Sequence, residues 1–156
     1  DKLKKTVFFI VGPVGDKKYS NRILSIINQK KMNDVVFFIP PVTKEEVKYW
    51  YCTADYFISP SVVEGVSMSI IESLASSLPV IVSRNVANYR EIEEDKCGLL
   101  VETKVDSMIK LLVKIENSKT KNEFHANNSQ ISANKRYDIR IVAKQIKENY
   151  NRILNE

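Results

Sequence analysis

The chain is poor in the residues that carry most nucleophilic and metal chemistry. Its 156 residues include two cysteines, one histidine and one tryptophan. Cys52 and Cys97 lie far apart, with no metal-ligand spacing around either. That argues against a disulfide framework and a zinc site. Cys52 falls in a helical apolar pattern and is expected to be a buried, reduced thiol. His125 lies in a polar stretch, where a solvated ring is expected rather than a catalytic base. With four glycines there is no G-x-G-x-x-G fingerprint and no phosphate loop ending in Lys-Ser/Thr. Gly12-Pro13-Val14-Gly15-Asp16-Lys17 therefore reads as a plain turn. No helix-turn-helix signal, RNA-binding aromatic motif or zinc knuckle is present, so nucleic acid is not an expected partner. No apolar run approaches the roughly 18 residues that span a bilayer. The start, Asp1-Lys2-Leu3-Lys4-Lys5, leads into an apolar stretch that is too short and too β-branched for a signal peptide. Cytoplasmic residence is the expectation.

What is present suits one packed domain of ordinary size. Hydrophobic residues make up 44% and charged residues 28%, which argues against disorder. The net charge of +5 comes from 24 Lys plus Arg against 19 Asp plus Glu, spread along the chain. Solvated lysines on helix faces explain it, and peripheral contact with the inner, anionic face of a membrane is compatible with it.

Thr6 to Val11 is a continuous β-prone run ending at Gly12-Pro13, and Val35 to Ile39 is another ending at Pro40-Pro41. Both suit strands buried on two faces. Between them Ile23, Ile26 and Ile27 keep a helical period. Thr43 followed by Glu46 is a capping box, opening a helix with Val47, Trp50 and Tyr51 on one side. Tyr56 to Ile58 is a short strand. Val66, Ile70, Ile71, Leu74, Ala75 and Leu78 then mark one face of a helix that Pro79 stops. Val80 to Val82 and Gly98 to Val101 are further strands, with a short helix over Asn88 to Glu94 between them. Val105 to Ile115 and Ile139 to Leu154 are amphipathic helices, and the polar Asn117 to Arg136 reads as helix with loops. Strands alternating with helices predict an α/β fold: a Rossmann-like, doubly wound parallel sheet of about five strands with helices on both faces.

Ligands of such sheets bind at the carboxyl ends of the strands. The loop from Pro60 to Ser67 is the richest there. Gly65 permits close backbone approach, and the amides of Gly65, Val66 and Ser67 are expected at a helix start, where they attract anions. Glu64 can accept hydrogen bonds from sugar hydroxyls. Glu72 stands about 12 Å further along the helix, off its apolar face, where a carboxylate can bind two ribose hydroxyls. The backbone at Pro41 and Val42 could edge a base. On spacing alone, a simpler reading leads: Glu64 complements the helix dipole and Glu72 is a solvated surface residue. A glycosidase pair is disfavoured, because both carboxylates sit on one turn-and-helix unit. A receiver-type signalling domain is disfavoured too, because Asp55 precedes its strand.

Residues 54 to 83, A-D-Y-F-I-S-P-S-V-V-E-G-V-S-M-S-I-I-E-S-L-A-S-S-L-P-V-I-V-S, change that balance. They resemble the nucleotide-sugar-binding, C-terminal domain of retaining GT-B glycosyltransferases of glycosyltransferase family 4. The family pattern runs A-D-x-x-x-x-P-S-x-x-E-G-x-x-x-x-x-x-E-A-x-A-x-G-x-P-V-x-x-S. E-I-E-E-D-K-C-G-L-L-V, residues 91 to 101, resembles the later segment that ends in G-L-L-V. The resemblance covers nearly the whole chain. It implies transfer of a sugar from a nucleotide diphosphate to a saccharide or lipid-linked acceptor, with retention of configuration. It implies Glu64 as the catalytic residue at the donor sugar, and Gly65, Val66 and Ser67 at the sugar and distal phosphate. It places Glu72 on the ribose, and Pro41 and Val42 against the base. No metal and no cofactor are implied beyond the donor itself. A nucleotide-sugar epimerase of the same fold and a non-catalytic interaction module are the alternatives.

Three departures stand out. Ser77 occupies a usual Gly position, which costs about 1 kcal/mol if the backbone there is left-handed. Asn88 stands near another usual Gly, and Asn tolerates that conformation. The family's first strand and loop, with an Arg and a Lys for the donor phosphates, and its N-terminal acceptor domain are not in this sequence. The chain is therefore expected to be a fragment of a larger enzyme, inactive by itself.

Overall fold

The computed structural model describes residue 3, residues 5–118 and residues 123–155. Strands and helices alternate: β1 (Phe8–Val11), α1 (Lys17–Gln29), β2 (Val36–Ile39), α2 (Lys44–Thr53), β3 (Phe57–Ser59), α3 (Met68–Ala75), β4 (Val80–Ser83), α4 (Tyr89–Glu94) and β5 (Gly98–Val101). Three helices follow: α5 (Val105–Glu116), α6 (Glu123–Tyr137) and α7 (Ile139–Leu154). The expected α/β architecture is present. α6 replaces the expected mixture of helix and loops over most of Asn117 to Arg136, and residues 119–122 of that stretch lie outside the described residues.

The strands do not form one ladder. β1 pairs in parallel with β2, Phe8 opposite Val36, while β3, β4 and β5 form a second parallel ladder in that order. The core gathers on the second. Val80, Ile81 and Val82 of β4 are fully buried, and Val80 and Val82 share one cluster with Ile70 and Leu74 of α3 and with Ile92 and Cys97. The expectation that β1 and β2 are buried on both faces fails: Phe9 is 49% exposed and Phe37 is 37% exposed. Continuous apolar runs report the burial that a strand requires, and here two strands alone do not supply it.

α2 links the two ladders. Its capping box is formed, with Thr43 Oγ1 accepting from the Glu46 amide and Glu46 Oε2 accepting from the Thr43 amide. Trp50 packs on Phe9 of β1 at 5.3 Å between ring centroids. Tyr51 meets Phe57 of β3 edge-on at 5.9 Å. Cys52, the next residue, is exposed and not buried as the sequence suggested. The helix turns about 100° per residue, so the face that presents Trp50 and Tyr51 turns Cys52 outward.

Ser77 adopts φ +60°, the left-handed conformation that its usual Gly would take without cost. Asn88 does not: its φ is −96°. Its buried amide instead donates to Tyr137 Oη at 3.1 Å, tying α4 to α6.

Asp95, at the end of α4, is the main polar anchor of α6. Arg136 grips it through Nε and through Nη2, the latter 2.9 Å from Oδ1. Ser132 adds a bond of 2.7 Å and Lys135 one of 3.2 Å. The Arg136 guanidinium, then the Ser132 and Lys135 donors, hold this carboxyl well below the usual carboxylate range. A folded-state pKa below the unfolded value stabilises the fold above about pH 4, and that contribution is lost as pH falls further toward the folded value. Asp95→Asn is expected to cost about 2 kcal/mol at neutral pH. It should also flatten the acid limb of stability, read by urea unfolding at pH 7 and pH 3. A variant as stable as the parent at pH 7 would exclude this anchor.

Candidate functional site

Glu64 stands in the loop after β3, at the carboxyl edge of the three-stranded ladder. The loop is pinned there by a parallel bridge: the Glu64 amide donates to Asn85 O at 3.2 Å, and the Ala87 amide donates to Glu64 O at 3.0 Å. Buried Ser83, the last residue of β4, donates its hydroxyl to Ser61 O and accepts from the Asn85 amide. Two short loops from neighbouring strands thus fix one carboxylate.

Serines surround that carboxylate. Ser61 Oγ donates to Glu64 Oε2 at 2.7 Å and Ser59 Oγ at 3.0 Å. These hydroxyls favour the charged form. The Ser61 bond, against the opposing effect of partial burial and with help from Ser67 and Ser59, holds the Glu64 carboxyl below its ordinary value. None of Ser59, Ser61 or Ser67 was singled out as a partner of Glu64 from the sequence. The signal was present in S-P-S-x-x-E: hydroxyls three and five residues from a carboxylate in a tight loop.

α3 begins at Met68, later than the apolar period from Val66 suggested. Gly65 and Val66 lie in the loop, and Ser67 is the N-cap residue, whose carbonyl accepts the Ile71 amide at 3.2 Å. Serine normally closes a helix start with its side chain. Ser67 makes no such bond, and its hydroxyl instead helps to hold the Glu64 carboxyl below its ordinary value. No side-chain cap covers the first-turn amides of α3, so they can serve an anion.

Glu72 is exposed, one turn further along α3. Its Oε2 accepts from Tyr51 Oη of α2 at 3.3 Å. Pro41 and Val42 follow β2, at the carboxyl edge of the other ladder and just before the Thr43 cap of α2. Glu64, Gly65, Val66, Ser67 and Glu72 belong to one turn-and-helix unit. Pro41 and Val42 lie on a separate loop, joined to that unit in sequence through α2 and β3. Among the described residues, no group of three or more His, Cys, Asp and Glu side chains could hold a metal ion. No helix among them is long and apolar enough to cross a membrane.

The family described as "Glycosyl transferases group 1" matches residues 1–135. The chain belongs to this family. A curated member-like relative, D-inositol 3-phosphate glycosyltransferase of Pseudarthrobacter chlorophenolicus, is 33% identical over 88 residues, 56% of this chain and 20% of the relative. The chain spans between about a fifth and a third of the length of the curated relatives it matches. Among solved structures, HepE of Anabaena in complex with UDP superimposes with a TM-score of 0.82 at 17% identity, over 94% of this chain and 41% of that one. The C-terminal domain of a glycosyl transferase group 1 protein, LpcC of Francisella tularensis, gives a TM-score of 0.73 at 17% identity, over 86% of both chains. These likenesses establish the shared fold, that of glycosyltransferase structures.

Proposed function

We propose that the chain is the donor-binding domain of a retaining glycosyltransferase of family 4, and that it works as the C-terminal half of a two-domain GT-B enzyme. The observation that carries this is the pairing of a fixed, ionised Glu64 with the uncapped start of α3 at one strand's carboxyl edge. A nucleotide-diphosphate sugar matches it. The distal phosphate takes the amides at the start of α3, together with Gly65, Val66 and Ser67 of the loop. Glu64 accepts from the sugar hydroxyls, and Glu72 accepts from the ribose hydroxyls. Pro41 and Val42 edge the base. Helix end and basic side chains carry the charge work, without a metal. Family membership favours transfer over epimerisation and over a non-catalytic module.

The divided sheet supports the reading as a fragment. α2 packs at once on β1 and on β3, which no described strand pairs with each other. Among the described residues β1 pairs only with β2, and its other edge, with half-exposed Phe9 and Ile10, is what a further parallel strand of the same protein would cover. The match to an isolated C-terminal domain along most of both chains supports the C-terminal placement. An N-terminal domain would then supply the saccharide or lipid-linked acceptor, at the cytoplasmic face of a membrane, and the present chain alone would bind donor weakly without transfer.

The test is an assay of the full-length protein against a panel of nucleotide-sugars, with and without EDTA, and product anomers read by proton NMR. Transfer unaffected by EDTA, with the donor's anomeric configuration kept in the product, is expected. Inverted product would defeat the retaining assignment, and loss of transfer on chelation would defeat the metal-free one.

A further inference from the structure

The carboxylate of Glu72 is exposed, and its side chain has three rotatable bonds. Among the described residues it accepts one side-chain hydrogen bond, from Tyr51 Oη at 3.3 Å. Tyr51 itself is held. It is 9% exposed, and its ring is wedged edge-on against Phe57. The phenol is neutral at physiological pH: burial first, then the Glu72 charge, pushes its pKa up. A neutral phenol beside a carboxylate donates its one proton there. α2 thus delivers a fixed donor to one oxygen of Glu72 and leaves Oε1 for a ligand.

We propose that Tyr51 is the positioning residue for Glu72, setting the carboxylate for a ribose diol and so the selectivity for ribonucleotides. This rests on the donor-site reading of Glu72 above. Without Tyr51 the side chain samples several rotamers, and a two-point contact with adjacent hydroxyls has to order it at binding. The packing of Tyr51 is a separate matter. Tyr51→Phe keeps the ring on Phe57 and removes only the hydroxyl.

The experiment is titration calorimetry on the full-length protein. UDP, GDP and ADP are titrated first, and the tightest binder is then compared with its 2′,3′-dideoxy form. The parent is expected to prefer the ribonucleotide by about tenfold or more, as hydrogen bonds to a charged group allow. Glu72→Ala should abolish the preference. Tyr51→Phe should reduce it to about threefold or less, with dideoxynucleotide affinity and melting temperature unchanged. If Tyr51→Phe keeps the full preference while Glu72→Ala loses it, or weakens both ligands equally, the role given to Tyr51 is wrong and the donor reading stands. If the parent binds no nucleotide, shows no preference, or keeps it in Glu72→Ala, the donor reading of Glu72 fails and this proposal fails with it.

Discussion

Gly98→Ala is expected to lower stability by about 3 kcal/mol or more, and to leave little folded protein at 37 °C. A Cβ at position 98 would lie 2.3 Å from Val80 O, 2.7 Å from Val80 Cγ2 and 3.0 Å from Ile92 Cγ2. The closest of these is a backbone atom of the central strand, which cannot rotate away. Val80 is fully buried, Ile92 is 1% exposed, and Gly98 faces Val80 across the ladder. Relief would have to come from moving β5 off β4, at the expense of the bond from the Val80 amide to Cys97 O. For a domain of this size the cost corresponds to a melting temperature lower by roughly 10 °C. Gly15→Ala is the control, because nothing lies within 4 Å of a Cβ there. Thermal unfolding of both variants decides: equal midpoints would remove the close approach of β5 to β4 as a constraint.

That glycine opens the G-L-L-V segment, and it shows how sequence and structure divide the information here. The pattern identified β5, and the capping box at Thr43 and Glu46 fixed the start of α2, because those signals are local. The division of the sheet was not legible. Two buried-looking runs, Thr6 to Val11 and Val35 to Ile39, say that a strand is apolar, and not what covers it. Cys52 was misjudged for a related reason: period alone cannot tell which side of α2 faces β1 and β3. Within the site, Glu64 and Glu72 were legible as a spaced pair. Ser67 was read for its backbone amide and its hydroxyl helps to keep Glu64 charged, and Tyr51 looked like core and also reaches Glu72. Both dual roles depend on contacts that only the folded chain creates.

The proposed site turns most sharply on Glu64→Gln. The substitution keeps the shape of the side chain, and Ser59 and Ser61 can still donate to its remaining oxygen. The charge is what disappears. In the parent that charge is preserved: the Ser61 hydroxyl first, with Ser67 and Ser59, lowers the carboxyl pKa, so Glu64 stays ionised from about pH 4.5 upward. An ionised carboxylate at the sugar ring stabilises positive charge that develops during transfer, in a way that a neutral amide does not. In the full-length enzyme, transfer is therefore expected to fall by about 100- to 1,000-fold in kcat. Donor affinity should stay within about threefold, because in the proposed site the diphosphate and ribose would take other groups, and stability should change by less than ~1 kcal/mol. Glu64→Asp should not restore transfer, since the shorter chain cannot reach both the serines and the sugar. The same ionisation sets a second reading on one assay: no acid limb of the rate profile above about pH 5 should belong to Glu64. Retention of more than a tenth of parental kcat by Glu64→Gln would remove its charge from the reaction. Glu64 would then be a loop anchor, holding Ser59 and Ser61 and no substrate.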